Sequence, residues 1–449
     1  MARVAVISPP FHSHARPLAV LGAALANHGA RVDFACTRAF EDLATRSGLG
    51  FTELAVTRNA NHGIAETTHQ DHAETRRLRE FLNATFLGPT ATLLTQARHR
   101  GDDMLAEPER VLRDLAALDA QLRPDWYLVD QLSYSATLAL HCLGLPYATF
   151  CPGHPSYLPA APDAYFGLPY AWPDTLQPAP ADLDRLRAAV AANDAAFTAA
   201  FRAIARRHAP GRPEPGRAFA LCSPHAVVFN YPCLPWLPPA PSGPKALYAG
   251  HLLPHSGTAA VDMTWQAVLA RLTAGRRSVV LVALGTFLSA RHDVLANVTS
   301  GILRHTPASV IVAAGNRVSD VTNHPLLREA APERLHVAQV IPQQELLPHA
   351  AAMVHHGGNN SFTESLYAGV PVLVLPFSSD QFAIAHDAER ADVGRCLDPN
   401  TLSPESAGSA VADLLAGAAN GAAGLSKRIR PRGPDWAAAA LLTQMPGSL

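Results

Sequence analysis

Residues 355–381 hold the densest run of groups able to do chemistry: HHGGNNSFTES, then LYAGVPVLVLP, then FSSDQ. The apolar AAAMV before this run has the length and content of a buried strand, and VPVLVLP reads as the next one. Between them Ser361 is expected to cap a short helix that ends at Gly369. Polar groups between a strand end and a helix N-terminus are where backbone N–H groups and the helix dipole hold a diphosphate. The first chemistry these residues suggest is recognition of a nucleotide-linked substrate.

Other candidates follow expected strands in the same way. Gly285-Thr286 closes VVLVAL and could offer an N–H and a hydroxyl to a phosphate, although alone the pair reads first as a plain turn. IPQQ, residues 341–344, follows LHVAQV. If the strands are parallel, these turns converge on one rim with His356, Gly357, Gly358, Asn360 and Ser361. Glu364 suits a capping box or two ribose hydroxyls. Asp380 and Gln381 suit an N-cap for QFAIAHDAERA or bidentate binding of vicinal sugar hydroxyls, and both can hold together. In the first half, His14 stands three residues before Pro17 in FHSHARP. A neutral imidazole at the carboxyl edge of a sheet can take a proton from a hydroxyl near neutral pH. His12 competes for that role, and a solvent-facing loop histidine is the plainer alternative.

These residues need a scaffold, and the patterning predicts an α/β one. RVAVIS, a loop, the helix PLAVLGAALANH and ARVDFAC give β-loop-α-β, with Pro17 in the first turn and Gly29 at C′. PDWYLVD, SYSATLALHCLG and LPYATF repeat the theme. Residues 55–120 carry few strand signals, and 151–180 are rich in Pro and aromatics, so both read as insertions on a ligand-binding rim. After the proline-dense NYPCLPWLPPAPSGPKALYAGHLLP the rhythm resumes with RSVVLVALG, SVIVAAG, LHVAQV, AAMVHH and VPVLVLP. We therefore expect two doubly wound parallel-sheet domains facing a cleft: residues 1–235, a linker at 236–252, residues 253–425, and a final helical segment at 426–449 returning toward the first domain. With 449 residues, 48% hydrophobic content and a net charge of -1, the chain has no basic excess for a nucleic acid. Its apolar runs are of strand length, so no stable membrane insertion is expected, and the N-terminal stretch lacks a signal-peptide pattern, which points to the cytoplasm. The six cysteines form no CxxC pair, and the 21 histidines form no HExxH, so no metal is signalled.

The series V-I-P-Q, H-x-G-x-N-S-x-x-E-S, G-V-P and P-x-x-x-D-Q, dense over residues 335–395, resembles the donor signature of the UDP-glycosyltransferase superfamily. Bacterial natural-product glycosyltransferases of the GT-B fold are its nearest relatives in style. The resemblance implies that Thr286, His356 and Ser361 contact a diphosphate, with Gly358 and Asn360 shaping the turn. It puts Glu364 on the ribose, Ile341 on the base with Gln343 beside it, and Asp380 with Gln381 on the sugar. FHSHARP resembles the family's G-H-x-x-P element, which makes His14 the general base, with Ser13 in place of Gly. Asp130, ending WYLVD, resembles the aspartate paired with that base; its plain alternative is an N-cap for SYSATLAL. Val340 and Asn359 stand where plant members carry Trp, leaving uracil versus thymine open. Tyr157, Tyr165, Phe166 and Trp172 are expected to face the acceptor, along with part of residues 60–95. The implied activity is inverting, metal-independent transfer of a hexose from a UDP- or dTDP-sugar to a small hydrophobic acceptor, by a monomer or homodimer with no other cofactor. The alternatives are a sugar-nucleotide epimerase or lipid-linked transferase of the same fold, and a non-catalytic sugar-nucleotide-binding accessory protein.

Overall fold

The apolar runs of the first half form one sheet in the computed structural model, which describes residues 1–61, 63, 68, 72–103, 105–254 and 261–445. Its strands are β1 (Arg3–Ile7), β2 (Arg31–Cys36), β3 (Gly50–Glu53), β4 (Trp126–Asp130), β5 (Tyr147–Cys151), β6 (Ala226–Phe229) and β7 (Lys245–Tyr248). They lie in the order β3-β2-β1-β4-β5-β6-β7, with every neighbouring pair parallel. The second sheet holds β8 (Val279–Ala283), β9 (Ser309–Ala313), β10 (Leu335–Ala338), β11 (Ala352–His355), β12 (Val372–Val374) and β13 (Gly394–Cys396). Its order, β10-β9-β8-β11-β12-β13, is again all parallel. Helices on both faces bury β4, β5, β6, β8 and β11 along their whole lengths, as near-continuous apolar strands require.

Each sheet reverses its winding direction once, between β1 and β4 in the first and between β8 and β11 in the second. In doubly wound sheets the crevice beyond the strand ends at such a switch point is where ligands bind. The switch points put the segment after β1 beside the end of β4, and the turn after β8 beside the end of β11. The two domains share a core in which Cys151, Val227, Phe229 and Tyr231 meet Phe362, Leu366, Phe382 and Ile384. Each such fully buried side chain contributes roughly 1.5–3 kcal/mol, which holds the two sheets against each other.

Several elements differ from the sequence reading. The strands β3, β6, β7 and β13 are added; all are three or four residues long, too short for periodicity to declare them. Residues 236–252 are not a linker throughout, because β7 forms the seventh strand of the first sheet inside that stretch. The first helix spans His12–Asn27, so His14 sits in its opening turn and Pro17 lies inside it. The helix Asn359–Ala368 is preceded by Gly358, so Ser361 lies within it and does not cap it. The last helix, Pro434–Leu442, packs Ala437, Ala438 and Leu441 into the first domain's core beside Leu18, Leu21 and Leu25. Residues 446–449 of the expected final segment lie outside the described residues. Among the described residues, no helix is long and apolar enough to cross a membrane.

Candidate active site

A cleft of about 790 Å³ runs between the domains and is lined from both. On the first-domain wall, His14 Nδ1 stands 3.0 Å from Asp130 Oδ2. The His14 side chain is 16% exposed and that of Asp130 is fully buried, so only the imidazole faces the cleft. Asp130 is held from behind, because its Oδ1 accepts from the Leu132 backbone N–H at 2.9 Å. The N-cap alternative fails, since the helix Tyr134–Leu143 starts beyond it with Ser133 at the cap. His12 also lines the cleft; burial, then the nearby Arg16 cation, lower its pKa. Pro17 has no N–H to give the Ser13 carbonyl four residues back. That carbonyl accepts instead from Asn360 Nδ2 at 2.8 Å, which ties the turn carrying His14 to the opposite domain.

On the second-domain wall, the His356 ring fits between two glycines. Gly285 has φ +73, and a Cβ there would stand 2.5 Å from His356 Cε1; a Cβ at Gly358 would collide with the same ring. Both positions therefore need glycine, and Gly285 needs it for backbone conformation too. Burial depresses His356 to a pKa of about 4, so the ring is neutral near pH 7, and its Nδ1 is buried without a hydrogen bond. His355 is fully buried; its Nδ1 accepts from the Gly357 N–H at 2.9 Å, and burial followed by its neighbour His356 lowers it to about 3. Thr286 Oγ1 accepts from Asn61 Nδ2 of the first domain at 3.1 Å. Glu364 takes Gln343 Nε2 at 2.6 Å on one oxygen and Gln344 Nε2 at 2.9 Å on the other. Burial raises its pKa against the opposing pull of Gln344, Arg16 and Gln343. Each of those oxygens keeps a second acceptor site for a ligand hydroxyl. Gln343 also reaches Ser361 Oγ at 3.4 Å, and Arg16 donates to Gln344 Oε1 at 2.9 Å. Ile341 lines the cleft, whereas Val340 is 67% exposed outside it.

At the far end, Asp380 Oδ2 accepts from the His154 N–H at 2.9 Å, and burial, then the nearby Asp380 carboxylate, push the Tyr157 hydroxyl's pKa up. Gln381 lines the cleft, but its amide is engaged within its own loop: Oε1 accepts from Phe377 N at 2.8 Å and Ser378 N at 3.1 Å. Its role there is to shape the loop that presents Asp380. Of the four aromatic candidates, Tyr157 and Phe166 line the cleft. Tyr165 does not; its ring lies under the Arg217 guanidinium at 5.0 Å, and Arg217 pairs with Asp194. Trp172 does not either; it packs on Phe382 at 4.8 Å, and its carbonyl accepts from His386. Trp172 thus seals the domain junction and Tyr165 packs within the first domain. Within residues 60–95, Ala60, Glu74, Arg77, Leu78 and Phe81 reach the cleft, while residues 62, 64–67 and 69–71 lie outside the described residues.

The sequence reading missed Asn61, Gln96 and Arg100 on the first-domain side and Gln344 on the other. Gln96 Oε1 accepts from Ser379 N at 3.1 Å and its Nε2 donates to Ser379 Oγ at 2.9 Å. Asn61, Gln96 and Arg100 all fall in the polar stretch between β3 and β4, where spacing gives no cue to which side chains turn inward. Gln344 stood in the quoted IPQQ, but nothing there singled it out from its neighbour.

The fold matches solved structures along its full length. One is the glycotransferase of kitacinnamycin, with a TM-score of 0.68, 20% identity and 99% of each chain covered. Another is the glycosyltransferase VinC in complex with DTDP, with a TM-score of 0.65, 19% identity and 99% of each chain covered. Two parallel α/β domains closing on a polar cleft make this the GT-B fold, and the named glycosyltransferases among its relatives support a transferase that depends on a sugar nucleotide. Residues 307–430 match the family model described as Erythromycin biosynthesis protein CIII-like, C-terminal domain. The chain is thus similar to glycosyltransferases, and over residues 307–430 to one of antibiotic biosynthesis. Among curated proteins, zeaxanthin glucosyltransferase of Pantoea ananas is 24% identical over 388 residues, covering 86% of this chain and 82% of its own.

Proposed function

We propose that this enzyme transfers a hexose, with inversion, from a UDP- or dTDP-sugar to a hydroxyl of a small hydrophobic natural product. The observation that carries this reading is the His14–Asp130 contact of 3.0 Å on the wall facing the His356 turn. In the Nδ1–H tautomer His14 donates to Asp130, which leaves Nε2 as the base. The acceptor oxygen gives its proton to Nε2 as it attacks the anomeric carbon, and the bond from that carbon to the diphosphate oxygen breaks. Buried Asp130 keeps the tautomer and stabilises the imidazolium that forms.

The departing diphosphate is received by the N-terminus of the helix Asn359–Ala368 with the Thr286 and Ser361 hydroxyls and a neutral His356. Glu364 takes the ribose hydroxyls, Ile341 presents its backbone to the base, and Asp380 binds the sugar. This route needs no metal, so turnover should continue in a chelator. The spinosyn rhamnosyltransferase of the same fold has been solved with a spinosyn aglycone and with thymidine diphosphate, which supports an apolar acceptor and a nucleoside-diphosphate donor. The test is a screen of UDP- and dTDP-hexoses against hydroxylated apolar acceptors, read by mass spectrometry. A glycosylated product is expected; a new sugar epimer formed without acceptor would sink the proposal in favour of an epimerase.

A further inference from the structure

One cation in the cleft has no hydrogen-bond or ion-pair partner among the described residues. Arg100 lies on the helix Pro89–Asp103 and lines the cleft at the end formed by Tyr134, Tyr157 and Phe166. Its guanidinium carbon stands 4.6 Å from the centre of the Phe166 ring. Among the described residues it makes no hydrogen bond and no ion pair, and its Nη1 is fully buried. The other cationic side chains of this wall have partners: Arg77 pairs with Glu74 at 2.9 Å and His99 with Glu80 at 2.8 Å. Asp380 is the carboxylate that acts on Arg100 electrostatically, but its Oδ2 is engaged by the His154 N–H. The backbone under the guanidinium is Gly167, with φ +90, and any Cβ there would occupy the place of Nη1. The fold thus clears room for a charged fork and gives it no acceptor.

An arginine cannot shed its proton, and a desolvated guanidinium without oxygen partners is strongly disfavoured. Two parallel N–H groups match the two oxygens of a carboxylate, and the aromatic wall matches an apolar, planar body. We infer that Arg100 is a binding residue for a carboxylate carried by the acceptor, so that the preferred acceptors are hydroxylated aromatic or polyene acids. This rests on the transferase reading for the word acceptor, although the site itself is defined by the cleft.

The test uses the full-length enzyme loaded with nucleoside diphosphate and two probes, a hydroxyaryl carboxylic acid and its methyl ester. Calorimetry should show the acid bound at least about tenfold more tightly than the ester. In Arg100→Met the two should bind alike, with the ester and the nucleotide bound as in the parent protein. Arg100→Lys should recover part of the preference, and melting curves check that both variants fold. Equal binding of acid and ester to the parent enzyme, or a preference that survives Arg100→Met, overturns the assignment. A parallel arm compares UDP-glucuronate with UDP-glucose. If Arg100→Met erases a preference for the glucuronate, the guanidinium serves a sugar carboxylate and the acceptor assignment falls. Since binding is read without turnover, acid preference in a protein that transfers no sugar would refute the proposed function and leave Arg100 a carboxylate-binding residue whose ligand is not an acceptor.

Discussion

His355 and His356 are adjacent imidazoles held in different ways for different ends. His355 is walled into the core behind the turn, while His356 presents its ring to the cleft between Gly285 and Gly358. Both are depressed from the ordinary value of 6.5, to about 3 and about 4, because burial opposes the charged form. The unfolded chain therefore binds protons below pH 6.5 that the folded chain refuses, and stability falls as pH drops through that value. For fully buried His355 the loss reaches about 2 kcal/mol by about pH 5 and continues toward pH 3. Urea unfolding at about pH 7.5 and about pH 5 should show it, and a His355→Asn variant should show a flatter dependence. Equal midpoints at the two pH values would mean that the rings are not desolvated in this way.

Turns at strand ends do most of the positioning. Gly285 illustrates how: Gly285→Ala combines a left-handed backbone, costing about 1 kcal/mol, with a Cβ driven into the His356 ring. Nucleoside diphosphate affinity should fall by at least about tenfold. Gly48→Ala is the control, since it has the same φ of +73 and open space around it; it should lose stability but keep nucleotide affinity. If both variants bind nucleotide alike, the His356 seat is not part of the donor site. The donor face is largely legible in the sequence because its residues are close together in the chain and follow long apolar strands. The first-domain wall is less so. The first helix was expected to start at Pro17, because proline favours a first turn, but the chain turns helical at His12 and uses the missing N–H to expose the Ser13 carbonyl. Tyr165 and Trp172 were indistinguishable from Tyr157 and Phe166 by composition, since an aromatic suits packing within a domain or at a junction as well as a ligand. Arg100 gave no signal at all, because only tertiary packing removes its partners.

The two domains are tied by a buried carboxylate. Asp387 of the second domain accepts from Tyr231 and Trp236 at 2.8 Å each and from Tyr170, and lies 3.1 Å from His154 Nε2, all first-domain groups. Burial alone would raise its pKa, but the bonds from His154, Tyr170 and Tyr231 outweigh it and hold it low. His154 also gives its N–H to Asp380, so the knot that joins the domains reaches the end of the cleft where Asp380 stands. Asp387→Ala should cost about 3–5 kcal/mol and separate the calorimetric melt into two transitions, whereas a single unshifted transition would show the knot to be dispensable. The proposed function divides labour across this junction, with the base on the first domain and the donor cradle on the second. His14→Ala tests it most directly, with turnover and nucleotide-sugar binding measured on the same preparation. Turnover should fall by about 10²–10⁴ while donor affinity stays within about twofold. Unchanged turnover, or loss of donor binding in step with activity, would contradict it.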